Sequence, residues 1–145
     1  MTEVTKTVIV AFSPAQMFAL VDEVERYPEF LPWCSSSQVI LRDEATTQAT
    51  LMIGYRGLRQ GFSTKNLKTP PTEMTMSLVE GPFRHLDGQW RFIDLQGRGC
   101  KIEFKIVYEF SNRLLAAVVG PVFDHIADTL VDAFVQRAEK LYESD

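Results

Sequence analysis

One stretch of the sequence decides the fold: RLLAAVVGPVFDHIADTLVDAFVQRAEKLY, residues 113–142. Apolar side chains recur along it at the spacing of one α-helical face. This face is formed by Leu115, Val119, Val122, Ile126, Leu130, Phe134 and Leu141. The opposite face is polar, with Asp124, Asp128, Asp132, Gln136 and Lys140. The pattern predicts a long helix that needs a large apolar partner surface, with a kink or a new helix start at Pro121.

The residues before this helix are typical of short strands joined by turns. The composition and alternation favour strands at 4–11, 38–42, 47–55, 60–67, 73–79, 86–95 and 100–110. In the last strand, apolar residues from Cys100 to Phe110 alternate with polar ones such as Lys101 and Glu103. Short connections between neighbouring strands favour an antiparallel meander. A curled sheet with the long helix in its concave side satisfies both patterns, and such a fold either packs solid or leaves a hollow.

A short amphipathic helix is predicted after the first strand. Ser13 is a good N-cap residue, and Pro14 suits the first helical position. Apolar residues at helical spacing continue from Met17 to Val24, so the helix is expected to run to about Glu25. Prolines at 28 and 32 interrupt any longer helix and leave a second short helix or a loop. The sequence therefore predicts a single α+β domain over residues 1–145.

Composition and targeting signals are those of a soluble, reduced protein. The 46% of hydrophobic residues and 23% of charged residues fit one globular domain. The two cysteines, Cys34 and Cys100, lack metal-binding spacing, which predicts free thiols and no metal site. The first residues do not resemble a secretory signal, and the apolar run 114–123 is too short to span a membrane. A cytoplasmic location is expected.

Charge is distributed unevenly along the chain. The net charge of −4 argues against a protein that coats DNA. Yet 45–72 contains no acidic residue, while Arg56, Arg59, Lys65 and Lys68 lie within it. These four cations could bind the phosphate groups of RNA or of lipid. The alternative is an ordinary solvated face of the sheet.

No catalytic constellation is present in the sequence. His85 and His125 lie in different elements, and neither belongs to a metal-binding or catalytic motif. No glycine-rich phosphate loop and no nucleophile motif occur. The protein is therefore predicted not to be an enzyme and to require no cofactor, although a cyclase or dehydrase acting in an interior cavity is a third hypothesis.

The segment Tyr27–Cys34, sequence YPEFLPWC, carries the most distinctive signal and is called the flap below. It holds three aromatic residues, Tyr27, Phe30 and Trp33, and two prolines stiffen it. A rigid apolar segment loses little entropy when a ligand docks on it. One interpretation is a gate over an interior cavity. The other is a plug that closes one end of the sheet.

Two further features bear on a cavity. The segment 80–83 with Phe83, followed by the Trp90 strand, could form an opposite lip or simply connect a hairpin. Met74 and Met76 share one strand face, where methionine fills core gaps or lines a site for a flexible ligand.

The flap, the segment VEGPF at 79–83, the segment GQWRF at 88–92 and the long helix together resemble one family. It is the coenzyme Q-binding branch of the START-like superfamily, also described as helix-grip or polyketide cyclase-like. The resemblance covers essentially the whole chain. It implies a seven-stranded antiparallel sheet wrapped around the C-terminal helix and enclosing an apolar cavity. Gly120-Pro121 in the long helix departs from the family pattern.

The resemblance also implies a function. It suggests a carrier of ubiquinone or a similar isoprenoid lipid that supports respiration, with transient contact to a membrane surface. The family has no shared catalytic residues.

 Expected ligand-binding residues are Tyr27, Phe30, Leu31, Pro32, Trp33, Met74, Met76, Phe83, Trp90, Val122 and Ile126. A location peripheral to the inner membrane would fit this role. For a toxin branch of the family, the resemblance implies binding to the large ribosomal subunit and inhibition of its association with the small one.

Overall fold

A computed structural model describes residues 1–143 of the chain. Its elements are β1 (Thr2–Val10), α1 (Pro14–Asp22), a 3₁₀ helix (Val24–Glu29), β2 (Cys34–Arg42), β3 (Thr46–Tyr55), β4 (Leu58–Thr69), β5 (Glu73–Glu80), β6 (Phe83–Asp94), β7 (Cys100–Phe110) and α2 (Arg113–Tyr142). All seven predicted strands are present. The second strand begins four residues earlier than predicted, at Cys34, because its serine-rich start pairs with β3.

The strands form one antiparallel sheet in the order β1-β7-β6-β5-β4-β3-β2. Register shifts interrupt the pairing of β2 with β3, of β4 with β5 and of β6 with β7. Such irregularities bend strands and increase the twist of a sheet. The sheet curves around α2, which packs its buried face against the concave side. The predicted helix-grip architecture is confirmed.

The α1 helix begins as predicted and ends earlier. The Ser13 hydroxyl accepts a hydrogen bond from the Gln16 amide at 3.1 Å, and the Gln16 side chain accepts one from the Ser13 amide at 2.9 Å. This reciprocal cap fixes the start of the helix. The α-helix ends at Asp22, and the chain continues as the 3₁₀ helix, which includes Pro28. The 3₁₀ helix leads directly into the rest of the flap.

The α2 helix runs without interruption through Pro121, so the predicted new helix start is wrong. Pro121 has no backbone N–H, so the Ala117 carbonyl one turn earlier lacks its helical hydrogen bond. Both residues are exposed, so water can solvate this carbonyl. The loss of one solvent-side bond therefore does not divide the helix.

The buried face of α2 differs slightly from the predicted one. It contains Val119, Phe123, Ile126, Ala127, Val131, Phe134 and Ala138. Leu141 is exposed, and Leu115, Val122 and Leu130 are half-buried. The predicted polar face is exposed throughout. By length and composition α2 could also cross a membrane, a test that the core helix of a soluble protein passes equally well.

A buried ion pair joins the end of α1 to the sheet. The ammonium group of Lys68 lies 3.2 Å from the Asp22 carboxylate, and the Lys68 side chain is only 4% exposed. The Thr47 hydroxyl donates to the same carboxylate at 3.1 Å. Lys68 therefore does not belong to an exposed RNA-binding face, which corrects that part of the prediction. Lys68 occupies an inward-facing position in the alternation of β4, and the Asp22 carboxylate neutralises its charge there.

Candidate functional site

A small cavity lies between α2 and the concave face of the sheet. Its volume is about 70 Å³. The walls come from the flap region, the inward positions of β3 to β7, and α2. They are formed by Val24, Tyr27, Trp33, Ala49, Leu51, Phe62, Thr64, Asn66, Met76, Leu86, Gly88, Trp90, Phe104, Ile106, Phe123, Ile126, Ala127, Leu130 and Phe134. None of these nineteen residues carries a formal charge, so the cavity is an apolar environment.

Small residues leave part of this interior open. Ala49 on β3 and Ala127 on α2 are buried, and both line the cavity. Gly88 on β6 also lines it, and a Cβ atom there would clash with the Cε of Met76. The Met76 side chain therefore crosses the space above Gly88. Because Met76 is unbranched and flexible, this wall can change shape at low cost.

The flap closes the cavity with two of its aromatic residues. Tyr27 and Trp33 are buried and line the cavity. The Tyr27 hydroxyl donates to the Val21 carbonyl, and its ring packs edge-on against Phe134 at 5.4 Å. Burial raises the pKa of the Tyr27 hydroxyl far above its ordinary value, so the group stays protonated. The flap thus plugs one end of the fold and also forms a wall of the cavity.

An ion pair anchors the 3₁₀ helix of the flap region to β2. The Arg42 guanidinium lies 2.6 Å from the Glu25 carboxylate and also donates to the Asp22 carbonyl at 2.7 Å. The hydrogen bond from Arg42 lowers the pKa of Glu25 to about 2. The carboxylate is therefore ionised at neutral pH, and the pair holds the base of the flap in place.

The structure brings together five of the eleven predicted ligand-binding residues. Tyr27, Trp33, Met76, Trp90 and Ile126 line one cavity. The other six lie elsewhere, and ligand binding by any of them stays a prediction. Their positions are as follows: Leu31 and Met74 are packed in the core, Phe30 and Pro32 border a groove on the outer side of the flap, Phe83 lies in an aromatic cluster, and Val122 is half-buried on α2.

Phe83 backs the cavity wall without forming a lip. Its ring lies 4.8 Å from that of Phe123 and 6.0 Å from that of Phe62, and both of these rings line the cavity. The segment Gly81–Pro82 lies between β5 and β6, whose pairing ends at Ser77 and Asp87, so it belongs to a wide hairpin connection. The hairpin interpretation of this segment therefore describes the structure.

Sequence reasoning missed the polar residues of the cavity. Thr64 and Asn66 are two positions apart on β4 and both point to the concave side. The Thr64 hydroxyl donates to the Asn66 carbonyl oxygen at 2.9 Å. Strand alternation with the apolar Phe62 is the signal that predicts Thr64 and Asn66 on the inner face of β4.

Three of the four predicted cations are exposed. Arg56 lies in the β3–β4 turn, with its guanidinium 5.2 Å from the centre of the Tyr55 ring. Arg59 and Lys65 are exposed on β4, at positions that alternate with the inward-facing ones. Within residues 1–143, these three cations form no ion pair. They leave an uncompensated positive charge along this hairpin.

The site offers little for acid-base, nucleophilic or metal chemistry. In the described part of the chain, no three metal-ligating side chains are grouped. Both cysteines are buried, and burial raises the pKa of each thiol to about 11. The thiols are therefore protonated and unreactive at neutral pH. The cavity provides shape, apolar contact and a few neutral hydrogen-bonding groups.

A helix gripped by a curved seven-stranded sheet over an apolar cavity defines the START-like class of domains. The chain belongs to the family of polyketide cyclase / dehydrase and lipid transport proteins, whose model matches residues 10–135. A START superfamily protein from Mycobacterium smegmatis has the same fold, with a TM-score of 0.79 at 20% identity over 96% of this chain and 98% of that one.

Two relatives connect this chain to named proteins. It is 40% identical to the ribosome association toxin RatA of Pseudomonas aeruginosa, over 97% of this chain and 98% of the relative. It is 28% identical to a mitochondrial coenzyme Q-binding protein, COQ10 homolog B, of Xenopus laevis, over 97% of this chain and 59% of the relative.

Solved structures of the same fold include proteins of different kinds. An 18 kDa protein from Caulobacter crescentus is 31% identical, with a TM-score of 0.74 over 99% of this chain and all of that one. An aromatase/cyclase from Streptomyces has a TM-score of 0.78 at 17% identity, over 96% of this chain and 94% of that one. The fold therefore occurs in enzymes, whereas the two named relatives carry the names of a toxin and a binding protein.

Proposed function

We propose that the protein binds an apolar isoprenoid ligand, such as ubiquinone, as a carrier without enzymatic activity. The observation that carries this proposal is the uncharged cavity beneath Trp33. Such a cavity favours apolar ligands because each buried methylene contributes about 0.8 kcal/mol. The relationship to a named coenzyme Q-binding protein supports the quinone as the ligand, and the proposal includes a role in respiration.

The cavity must enlarge when a ligand enters. Its volume of about 70 Å³ is smaller than the ~150 Å³ of an engineered cavity that holds benzene. One wall is suited to move, the flexible Met76 side chain, and Trp33 lines the same cavity. Ligand binding is therefore expected to change the surroundings of the indole ring.

Titration with a short-chain ubiquinone tests this proposal. We expect saturable quenching of tryptophan fluorescence and recovery of quinone by organic extraction of the purified complex. Trp33→Ala should weaken binding about tenfold, because it removes a large apolar wall. Ile40→Ala is the control, since Ile40 is an apolar side chain that is exposed on β2 and lies outside the cavity. Absence of saturable binding and of extracted lipid would contradict the carrier function.

A second function is supported by the relatives and by the exposed cations. We propose that the protein also binds the large ribosomal subunit and inhibits its association with the small one. The 40% identity to a ribosome association toxin supports this role, and Arg56, Arg59 and Lys65 could contact ribosomal RNA. The cavity and the outer face of β4 are different surfaces, so one chain can perform both functions.

Sedimentation of ribosomes with added protein tests the second function. We expect fewer whole ribosomes, more free subunits, and binding that weakens as salt rises. The double variant Arg59→Glu/Lys65→Glu should reduce the affinity for ribosomes about 100-fold. The slope of log affinity against log salt concentration should decrease by about one for each lost phosphate contact. The control is Arg98→Glu, in the turn at the opposite end of the sheet. Unchanged subunit peaks at low salt would count against this function.

Exchange of a water-insoluble ligand requires contact with a membrane. The start of α2 carries two exposed apolar side chains, Leu114 at 73% and Val118 at 53% exposure. Arg113 precedes them and is also exposed. These residues support a transient, peripheral contact with the inner membrane by an otherwise cytoplasmic protein.

A further inference from the structure

The wall of the cavity contains a buried polar side chain, Asn66, among its apolar residues. Asn66 is only 5% exposed, lines the cavity and receives a hydrogen bond from Thr64 on its carbonyl oxygen. With that oxygen occupied, the Asn66 side-chain NH₂ makes no hydrogen bond to any residue in 1–143. A buried amide donor without a partner is unfavourable, because it has lost its hydrogen bonds to water. A ligand that accepts a hydrogen bond from it would recover this loss.

The other polar groups in the cavity are also hydrogen-bond donors. The indole N–H groups of Trp33 and Trp90 find no acceptor among the described residues, and both side chains line the cavity. Indole is a donor only, and an amide nitrogen donates as well. The Tyr27 hydroxyl uses its proton on the Val21 carbonyl. The Asn66 amide and the two indole groups are therefore donors that no described residue uses.

The absence of charge in the wall restricts the ligand further. No lining residue is cationic, so no side chain of the cavity wall can neutralise a carboxylate or a phosphate. Burial of an unpaired anion costs far more than a neutral hydrogen bond returns. Fatty acids and phospholipid headgroups are therefore poor ligands for this cavity. A neutral molecule with carbonyl or ether oxygens and no donor of its own matches it.

We infer that Asn66 is a specificity-determining residue, which donates a hydrogen bond to an oxygen of a neutral, acceptor-bearing apolar ligand. This inference rests on the proposed carrier function and deepens it. The Thr64 hydroxyl orients the Asn66 amide, so Thr64 is a positioning residue. Quinone carbonyl oxygens fulfil the requirement, whereas hydrocarbons and fatty acid anions do not.

Calorimetric titration with three probes tests this inference. The probes are ubiquinone-2, geranylbenzene, which has a ring and the same tail without oxygen, and palmitate. The wild-type protein should bind ubiquinone-2 about tenfold tighter than geranylbenzene, and palmitate more weakly than either. Asn66→Leu should weaken quinone binding about tenfold and leave geranylbenzene binding unchanged or tighter. Thr64→Val should cause a smaller loss for the quinone alone.

A matched control separates this effect from a change in folding. Thr50→Val makes the same change as Thr64→Val on the outer side of the neighbouring strand, where the Thr50 hydroxyl meets Ser63 at 2.6 Å. It should leave all three affinities unchanged. Equal affinities of the wild type for ubiquinone-2 and geranylbenzene, or an unchanged ratio in Asn66→Leu, would overturn the inference alone. Absence of binding by every probe would instead overturn the carrier function.

Discussion

Ala127→Leu is expected to weaken ligand binding strongly and to stabilise the protein at the same time. Ala127 is buried on α2 and lines the cavity. Leucine adds three heavy atoms, which can occupy much of the 70 Å³ that is open in the unliganded protein. Filling a void commonly stabilises a protein by about 1 kcal/mol. A ligand would then have to displace the new side chain.

The two effects are measured separately. Quinone binding should weaken about 100-fold, since accommodating both ligand and leucine would overpack the core by about 3 kcal/mol. Urea unfolding should show a higher midpoint with an unchanged slope. A loss of binding through misfolding would lower the midpoint instead, so the two causes give opposite results.

Ala117→Leu is the matched control for the cavity-filling variant. Ala117 lies on the same helix but is exposed, so the same substitution should change neither binding nor the free energy of unfolding by more than about 0.5 kcal/mol. Normal quinone binding by a stabilised Ala127→Leu protein would mean that the ligand binds outside this cavity. The carrier proposal would then lose the observation that supports it.

Asp22→Ala is expected to cause the largest loss of stability. It removes the anion that neutralises the Lys68 ammonium, on a side chain that is only 4% exposed. Removing one partner of a fully buried pair costs about 3–5 kcal/mol. Because the Asp22 side chain is itself 22% exposed, water partly compensates, and we expect about 2–3 kcal/mol. The midpoint temperature of thermal unfolding should fall by roughly 10 °C.

Lys68→Met provides the comparison. Methionine keeps most of the apolar stem of the lysine side chain and removes its buried charge. Asp22 stays partly exposed to solvent and keeps its hydrogen bond from the Thr47 hydroxyl. The expected cost is about 1 kcal/mol or less. The double variant Asp22→Ala/Lys68→Met should be more stable than Asp22→Ala alone, because the uncompensated charge is gone. Equal and additive losses in the two single variants would contradict a coupled pair.

The pattern of inward-facing residues predicted part of the cavity. Alternation in β6 and the helical spacing of α2 correctly predicted that Trp90 and Ile126 face inward. The composition of the flap indicated Tyr27 and Trp33 as further residues of the cavity. The same reasoning could not separate Met76, which lines the cavity, from Met74, which lies fully in the core. Both face the same side of β5. Their difference depends on which side chains lie opposite them.

The charge pattern was informative in the same limited way. Four cations in a segment without acids predicted an exposed basic face, and Arg56, Arg59 and Lys65 are exposed. Lys68 is different because its partner, Asp22, lies 46 positions away in the sequence. No local pattern reports such a partner. Only the packing of α1 against the sheet places the two groups 3.2 Å apart.

The sequence by itself determined the strands, the short and long helices and their order, since periodicity and capping act between neighbouring residues. It also determined that α2 needs an apolar partner. The tertiary structure alone decided that Ala49, Gly88 and Ala127 meet around unfilled space, and that Asn66 lies in its wall. A void depends on distances between elements that are far apart in the chain, and local patterns carry no information on those distances.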